Sequence, residues 1–462
     1  MATDFDNRSP NSVENSNEKK SILSNIGVWT GSLPWNGLVF FVIALMGCTG
    51  GNALAITSFN QGVENSNLNQ KDKTIADYTK AIELDPKSAM AYTYRGVAYG
   101  ELKQFYKAIT DYTRAIELDP KSAAAYYNRG KAYGKLKQFD KAIADHTRAI
   151  ELDPKPALAY NNRGDAYLGL LQYDKAIADY TGAIELEPAL ADAYINRGAA
   201  YEKLKQYDKA ILDYTKAIEL DPKSPGAYYN RGNAYLGLKQ YPKAIADCTK
   251  AIELDPKSAM AYNIRGTAYL GLQQYDKAIT DFTKAIELDP KSALAYIDRG
   301  LAYLGIEQYE KAITDLTKAI ELDPKLAGAY AYRGAAYAQL NQYDKAITDF
   351  TRAIEVGPKL AEAYKARGNA YGKLKQYDKA FADCTRAIEL DPKDAGAYNN
   401  RGNAYAQLNQ YDKAIADCTK AIELDPKLAL AYNNRGNVYL KVGKQKEAEA
   451  DFAKAKMLNG GN

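Results

Sequence analysis

Asparagine recurs at one fixed interval along this chain of 462 residues. Asn128, Asn162, Asn196 and Asn230 stand 34 residues apart, and Asn400 and Asn434 resume the series after Ile264, Asp298, Tyr332 and Ala366 interrupt it. A carboxamide donates and accepts at once, so a ladder of them can hold the backbone of an extended polypeptide without reading its side chains. Asn233, Asn369, Asn403 and Asn437 form a second row one helical turn further on. Tyr94 and Tyr332 stand at the first row's own position and Tyr127 and Tyr229 one residue before it, and aromatic side chains are the anchors that interaction surfaces favour. The chemistry offered is recognition.

Catalysis has far less to draw on. The only histidine, His146, occupies a position that Tyr112, Tyr180 and Tyr214 fill elsewhere, which predicts a core residue. One histidine without partners makes neither a triad nor a zinc site. Cys248, Cys384 and Cys418 share that position and are expected to be small buried hydrophobes. Cys384 and Cys418 would sit on helices about 8 to 10 Å apart, beyond the ~7 Å that a disulfide spans between Cα atoms. With no phosphate loop, metal spacing or nucleophile motif, the expectation is a protein that is not an enzyme, with no catalytic residue, cofactor, metal or small-molecule substrate. The 61 basic and 57 acidic residues are interleaved and leave a net charge of +4, so no basic face points to nucleic acid.

The elements that position these rows follow from the period. Pro86, Pro120, Pro154, Pro188 and their successors to Pro426 keep a 34-residue beat, as does an Arg-Gly pair from Arg95-Gly96 to Arg435-Gly436. A fixed period of this length means a solenoid in which each repeat contacts its neighbours. Eleven full repeats fill residues 89–462. Within the first, Tyr92, Gly96, Tyr99 and Leu102 mark one amphipathic helix and Ala108, Ile109, Tyr112, Ala115 and Ile116 a second. Leu102 to Gln104 links them, and Asp119-Pro120 ends the unit because a residue before proline leaves the helical region. Gly96, facing Ala108 and Ala115, is expected to let the two backbones close. In each repeat an aspartate of the second helix, Asp111 for Arg95 or Asp145 for Arg129, is placed to pair with the Arg-Gly arginine.

On Tyr92, Gly96, Tyr99, Leu102, Phe105, Ala108, Tyr112, Ala115 and Pro120 the unit resembles the tetratricopeptide repeat (TPR). Arg95 departs from that pattern, standing where the family more often has leucine. The resemblance implies an all-α, right-handed superhelical solenoid of helix-turn-helix hairpins, whose first helices line a concave groove that binds proteins or peptides. The asparagine ladder is similar to the one in the repeat arm of O-linked N-acetylglucosamine transferases, whose catalytic part has no counterpart here. Lys365, Asn369 and Asn400 resemble the first part of a carboxylate clamp that holds a partner's C-terminus. Leu430 and Asn434 stand where that clamp needs cations.

Residues 1–36 form a polar tail expected to be disordered over its first twenty residues, and 37–55 a hydrophobic signal or anchor segment. No charged residue occurs from Ser21 to Val63, and Leu38 to Met46 is continuously apolar. Four readings stand: a cleaved export signal ending at Ala53-Leu54-Ala55, a lipobox that lipidates Cys48, a retained membrane anchor, or a buried apolar segment. Lys19 and Lys20 favour an N-terminus left in the cytoplasm, which places the repeats outside it, in a periplasm or equivalent lumen. Residues 56–88 read as a degenerate capping repeat that keeps Phe59, Gly62 and Leu68 near the expected places. At the other end Glu449 and Lys456 replace apolar residues such as Ile415 and Ile422. The expectation is an exported or membrane-tethered scaffold for other proteins, of the assembly-factor kind. The alternatives are the recruiting arm of an enzyme complex and a passive spacer.

Overall fold

The computed structural model describes residues 53–153 and 156–460. All regular structure among them is α-helical, 24 helices that run in consecutive antiparallel pairs from Ala53–Asn67 and Lys71–Leu84 to Ala429–Lys441 and Gln445–Asn459. They form two compact units, dividing at Ala234 and Tyr235. Within each unit every first helix packs on its own second helix and on the second helix before it, and neighbouring first helices also touch.

The repeat from Ala89 shows how the sequence builds a pair. Its first helix, Ala89–Glu101, ends where the Gln104 N–H donates to the Tyr99 carbonyl at 2.8 Å and the Lys103 N–H to the Gly100 carbonyl at 2.9 Å. That double closure requires a left-handed residue, and Lys103 has φ of 58°. Lys137, Leu171, Lys205 and their equivalents do the same, with glycine only at Gly443. The second helix, Phe105–Leu118, ends in Asp-Pro-Lys-Ser. Asp119 Oδ1 accepts the Lys121 N–H at 3.0 Å, and Ser122 Oγ accepts the Ala125 N–H at 3.3 Å, capping the next helix. Where Leu326 and Leu360 replace that serine the side-chain cap is lost, and the leucines pack on buried clusters instead.

The expected arginine pairing is present and wider than the sequence shows. Arg95 Nε and Nη2 each lie 2.8 Å from an oxygen of Asp111, while Nη1 donates at 3.1 Å to Thr79 Oγ1 on the preceding second helix. One guanidinium thus ties three helices, and Arg129, Arg163 and Arg197 repeat the arrangement, as do Arg265 to Arg435 in the second unit. The bond to Asp111 holds the Arg95 pKa above its ordinary value against the opposing effect of burial. The arginine also lies over the rings of Tyr92 and Tyr99, at 5.6 and 6.0 Å, and Lys107 over Tyr99 at 5.4 Å. These tyrosines are spent on packing.

Gly334, Gly368 and Gly402 lie against the carbonyls of Ala346, Ala380 and Ala414, the equivalents of Ala108, at 3.2–3.3 Å from a built Cβ, and at Gly96 an aromatic ring comes nearer still. A Cβ there would stand 2.6 Å from the ring of Tyr112, so the missing side chain makes room for that ring. In the first repeat Gly62 serves Tyr78 in the same way, Phe59 packs on Tyr78 at 5.4 Å between ring centroids, and Leu68 is 65% exposed, outside the core. The first described helix already includes Ala53, Leu54 and the buried Ala55. The polar tail, the apolar run and Cys48 lie outside the described residues. Among those described, no helix is long and apolar enough to cross a membrane. Glu449 and Lys456 are exposed, where Ile415 and Ile422 are half-buried.

The glycines allow a direct test. Gly164→Ala would put its methyl 2.6 Å from the buried Tyr180 ring and should cost about 1–3 kcal/mol. At Gly134 nothing lies within 4 Å, so Gly134→Ala should gain up to about 1 kcal/mol from helix propensity alone. Chemical denaturation of both variants checks the opposite signs, and equal effects would sink the packing account.

Candidate peptide-binding face

In the first unit the amide ladder is already partly engaged. Asn162 Nδ2 donates to the Tyr127 hydroxyl at 3.1 Å, and Asn196 Nδ2 to Asn161 Oδ1 at 3.3 Å and Asp165 Oδ1 at 3.0 Å. Asn128 Nδ2 turns back to the Ala124 carbonyl of its own helix at 3.0 Å. Asn230 and Tyr229 are half-buried. Tyr94 packs edge-on against Phe59 at 5.3 Å and beside Tyr78 at 5.9 Å, which makes it part of the seam between two repeats.

Two carboxylates that the sequence reading passed over complete this surface. The Tyr180 hydroxyl donates to Asp165 at 2.8 Å and the Tyr214 hydroxyl to Glu202 at 3.2 Å, where Asn233 also donates. Burial raises both carboxyl pKa values, and the hydrogen bonds hold them back. Acidic residues at two repeat positions that are elsewhere uncharged, apart from Lys131, were the available signal.

In the second unit Asn434 Nδ2 donates to Asn399 Oδ1 at 2.9 Å, and Asn399 Nδ2 lies 3.5 Å from Asn400 Oδ1. Lys365 Nζ sits 2.6 Å from Glu362 and 3.0 Å from Asp394, the residue that also caps the following helix. Its charge is therefore already matched, which weakens it as a clamp for a terminal carboxylate. Asn369, Asn403 and Asn437 are exposed at one position of three successive first helices, and Tyr332 is 38% exposed. Among the described residues no three His, Cys, Asp or Glu side chains converge on a metal position.

The tetratricopeptide repeat family matches residues 123–156, 191–224, 225–258, 259–292, 293–326, 361–394 and 395–428, more than half of the chain. This chain belongs to the tetratricopeptide repeat family. Further descriptions of the same repeat match 57–88, 77–110, 101–137, 147–178, 172–205, 316–348, 334–375 and 418–450 of this TPR protein. None of the curated proteins matches it. Among solved structures it is similar to the crystal structure of the APC/C hetero-tetramer Cut9-Hcn1, at 16% identity and a TM-score of 0.50, over 92% of this chain and 96% of that one. The yeast Tom70 crystal structure matches at 20% identity and 0.39, over 87% and 92%. YrrB, described as a TPR protein with an unusual peptide-binding site, matches at 27% identity and 0.34, over 41% and 97%. The first of these shares the TPR fold.

His146 and the three cysteines fill the core position opposite the repeat glycine. Cys248, Cys384 and Cys418 are fully buried, which pushes each thiol up to about 12. His146 is 1% exposed, its Nδ1 has no hydrogen-bond partner, and Tyr127 lies 5.8 Å away. Burial, helped by the charge of Arg163, lowers its pKa to about 4. A folded pKa below the unfolded value leaves stability intact above pH ~6.5 and removes it as pH falls towards 4, by about 3 kcal/mol. Phe282 and Phe350 occupy the same position, so His146→Phe should abolish that loss. Denaturant midpoints of the two proteins at pH 7.5 and 4.5 check this, and a difference that does not change with pH contradicts it.

Proposed function

We propose that this TPR protein is a scaffold that holds extended segments of other proteins against its first helices. One observation carries the reading: Asn369, Asn403 and Asn437 stand exposed at the same position of three neighbouring first helices. Packed helices lie about 8–10 Å apart, so the row falls beside about every third residue of an extended chain rising ~3.3 Å per residue. Each amide can donate to a peptide carbonyl and accept from a peptide N–H. Peptides selected on the purified chain by phage display provide the test. Replacing all three asparagines with alanine should weaken them about tenfold or more, from hydrogen bonds contributing about 0.5–1.5 kcal/mol each, with helicity unchanged. Unaltered affinity overturns the reading.

The same reading places the scaffold at a membrane or beyond one, as an assembly factor outside the cytoplasm. Its support is the uncharged stretch from Ser21 to Val63 with its apolar centre, Leu38 to Met46. Ala55 is only 6% exposed inside the first helix, so a mature chain starting at Ile56 would lose a buried contact. Retention of the segment, or a start at a lipidated Cys48, preserves it. Intact mass and N-terminal sequencing of protein from native membranes should give a start upstream of Ala53. An unprocessed chain found only in the cytosol would remove the export reading.

A further inference from the structure

In the second unit, three successive first helices carry apolar side chains at and near the repeat position of one carboxylate. Leu294, Asp298 and Leu301 follow at spacings of four and three on Ala293–Gly305, and so share one face of that helix. Met260 and Ile264 hold the equivalent places on the helix before, and Tyr332 on the helix after. Met260 is 57% exposed, Leu294 61% and Tyr332 38%, so the apolar surface faces solvent. Asp298 itself takes the place of the ladder asparagine.

Every buried second-helix aspartate described above has its arginine, and Asp394 has Lys365. Asp298 has no cation beside it among the described residues. What it has is Asn263, whose Nδ2 donates to Oδ2 at 3.4 Å, and Thr267. The same amide's Oδ1 meets no donor. One carboxylate without a cation and one amide oxygen without a donor therefore belong to the same hydrogen-bonded pair. Desolvation pushes the Asp298 carboxyl up to about 6, with Asn263 and Thr267 pulling it back. A carboxylate in that condition gains from an incoming cation, because the partner supplies the opposite charge its surroundings lack. An ammonium brings three donors and a guanidinium five.

We propose that Asp298 selects a lysine or arginine side chain, flanked by aliphatic residues, in the protein segment that this face binds. The inference rests on the peptide-binding reading and adds a residue preference to it. The aliphatic flanks pack on Met260, Leu294 and Leu301, while the charge meets the carboxylate. Asp165 and Glu202 do not compete for this role, since each is satisfied by a tyrosine hydroxyl and an amide.

The test uses fluorescein-labelled peptides of one sequence, Leu-Leu-X-Leu-Leu between polar ends, with X lysine, arginine, norleucine or glutamate. Binding to the full chain is followed by anisotropy. Lysine and arginine peptides should bind about fivefold tighter than norleucine, with glutamate weakest. Asp298→Asn should erase the difference. Asparagine occupies the same position at Asn128, Asn162, Asn196, Asn230, Asn400 and Asn434, so the variant keeps a side chain that the repeat accommodates. Asp298→Lys provides a second check, because it should reverse the order in favour of glutamate at unchanged helicity. Equal binding of all four peptides to the native chain, unaffected by either variant, overturns the cation preference and leaves peptide binding standing. No saturable binding of any peptide up to about 1 mM overturns both.

Discussion

One guanidinium per repeat decides which three helices meet. Arg95 joins its own second helix through Asp111 and the preceding second helix through Thr79, reaching 16 residues forward and 16 back. The aspartate is buried, at 4% exposure, and a carboxylate there needs a fully hydrogen-bonded cation. Two parallel N–H bonds satisfy it in a geometry that only arginine offers. Buried ion pairs of this kind often add little over well-packed apolar residues. What this one fixes is register, since a helix turned or slid by one residue would leave a charge buried and alone. In a solenoid whose stability is a sum over neighbours, a link spanning two repeats also supplies coupling between them.

Around that link the repeat is built from small residues and one variable plug. Ala91, Ala98, Ala108 and Ala115 are all nearly or wholly buried, and the glycine between the first two leaves room for whatever the second helix brings. Tyrosine, histidine, phenylalanine, leucine and cysteine all occur at the plug position, as Tyr112, His146, Phe282, Leu316 and Cys384. Such tolerance fits a seam held in register by polar bonds, because the plug then has only to fill volume. Where the plug is Cys384, a Cβ on the facing Gly368 would meet both Sγ and the Ala380 carbonyl, so the glycine keeps its purpose.

Periodicity made the fold legible. Helix pairs, the three-residue links and the Asp-Pro stops follow from a 34-residue beat, and the 16-residue offset between Arg95 and Asp111 was enough to predict their pairing. The third partner, Thr79, belongs to another repeat and leaves no mark in a single unit. The left-handed link escaped notice because Lys103, Lys137 and Leu171 stand where glycine would have announced it. The site was less legible for a chemical reason. Asparagine suits a ladder because it donates and accepts, and the same property lets Asn162, Asn196 and Asn434 bond neighbouring first helices. Sequence spacing places such an amide on a face, and only exposure separates a linking amide from a presented one. Lys365 shows the same limit with charge, since Asp394 reaches it from the next helix.

The first-helix carboxylates show how little sequence is needed to change what a near-identical repeat offers. Asp165 stands where an aromatic plug, Tyr180, can reach it, and Glu202 where Tyr214 can. Each carboxylate is buried in part and answered by donors from within the fold, so its charge is committed to structure. Asp298 belongs to a repeat whose plug is Leu316, which has no hydroxyl to offer, and its partners Asn263 and Thr267 are neutral. Substitutions at a few positions among repeats that are otherwise alike therefore turn an acid answered by a tyrosine hydroxyl into one that lacks it. In an array held together by invariant polar links, specificity can arise in this way without disturbing the scaffold, because the residues that vary are not those that fix the register.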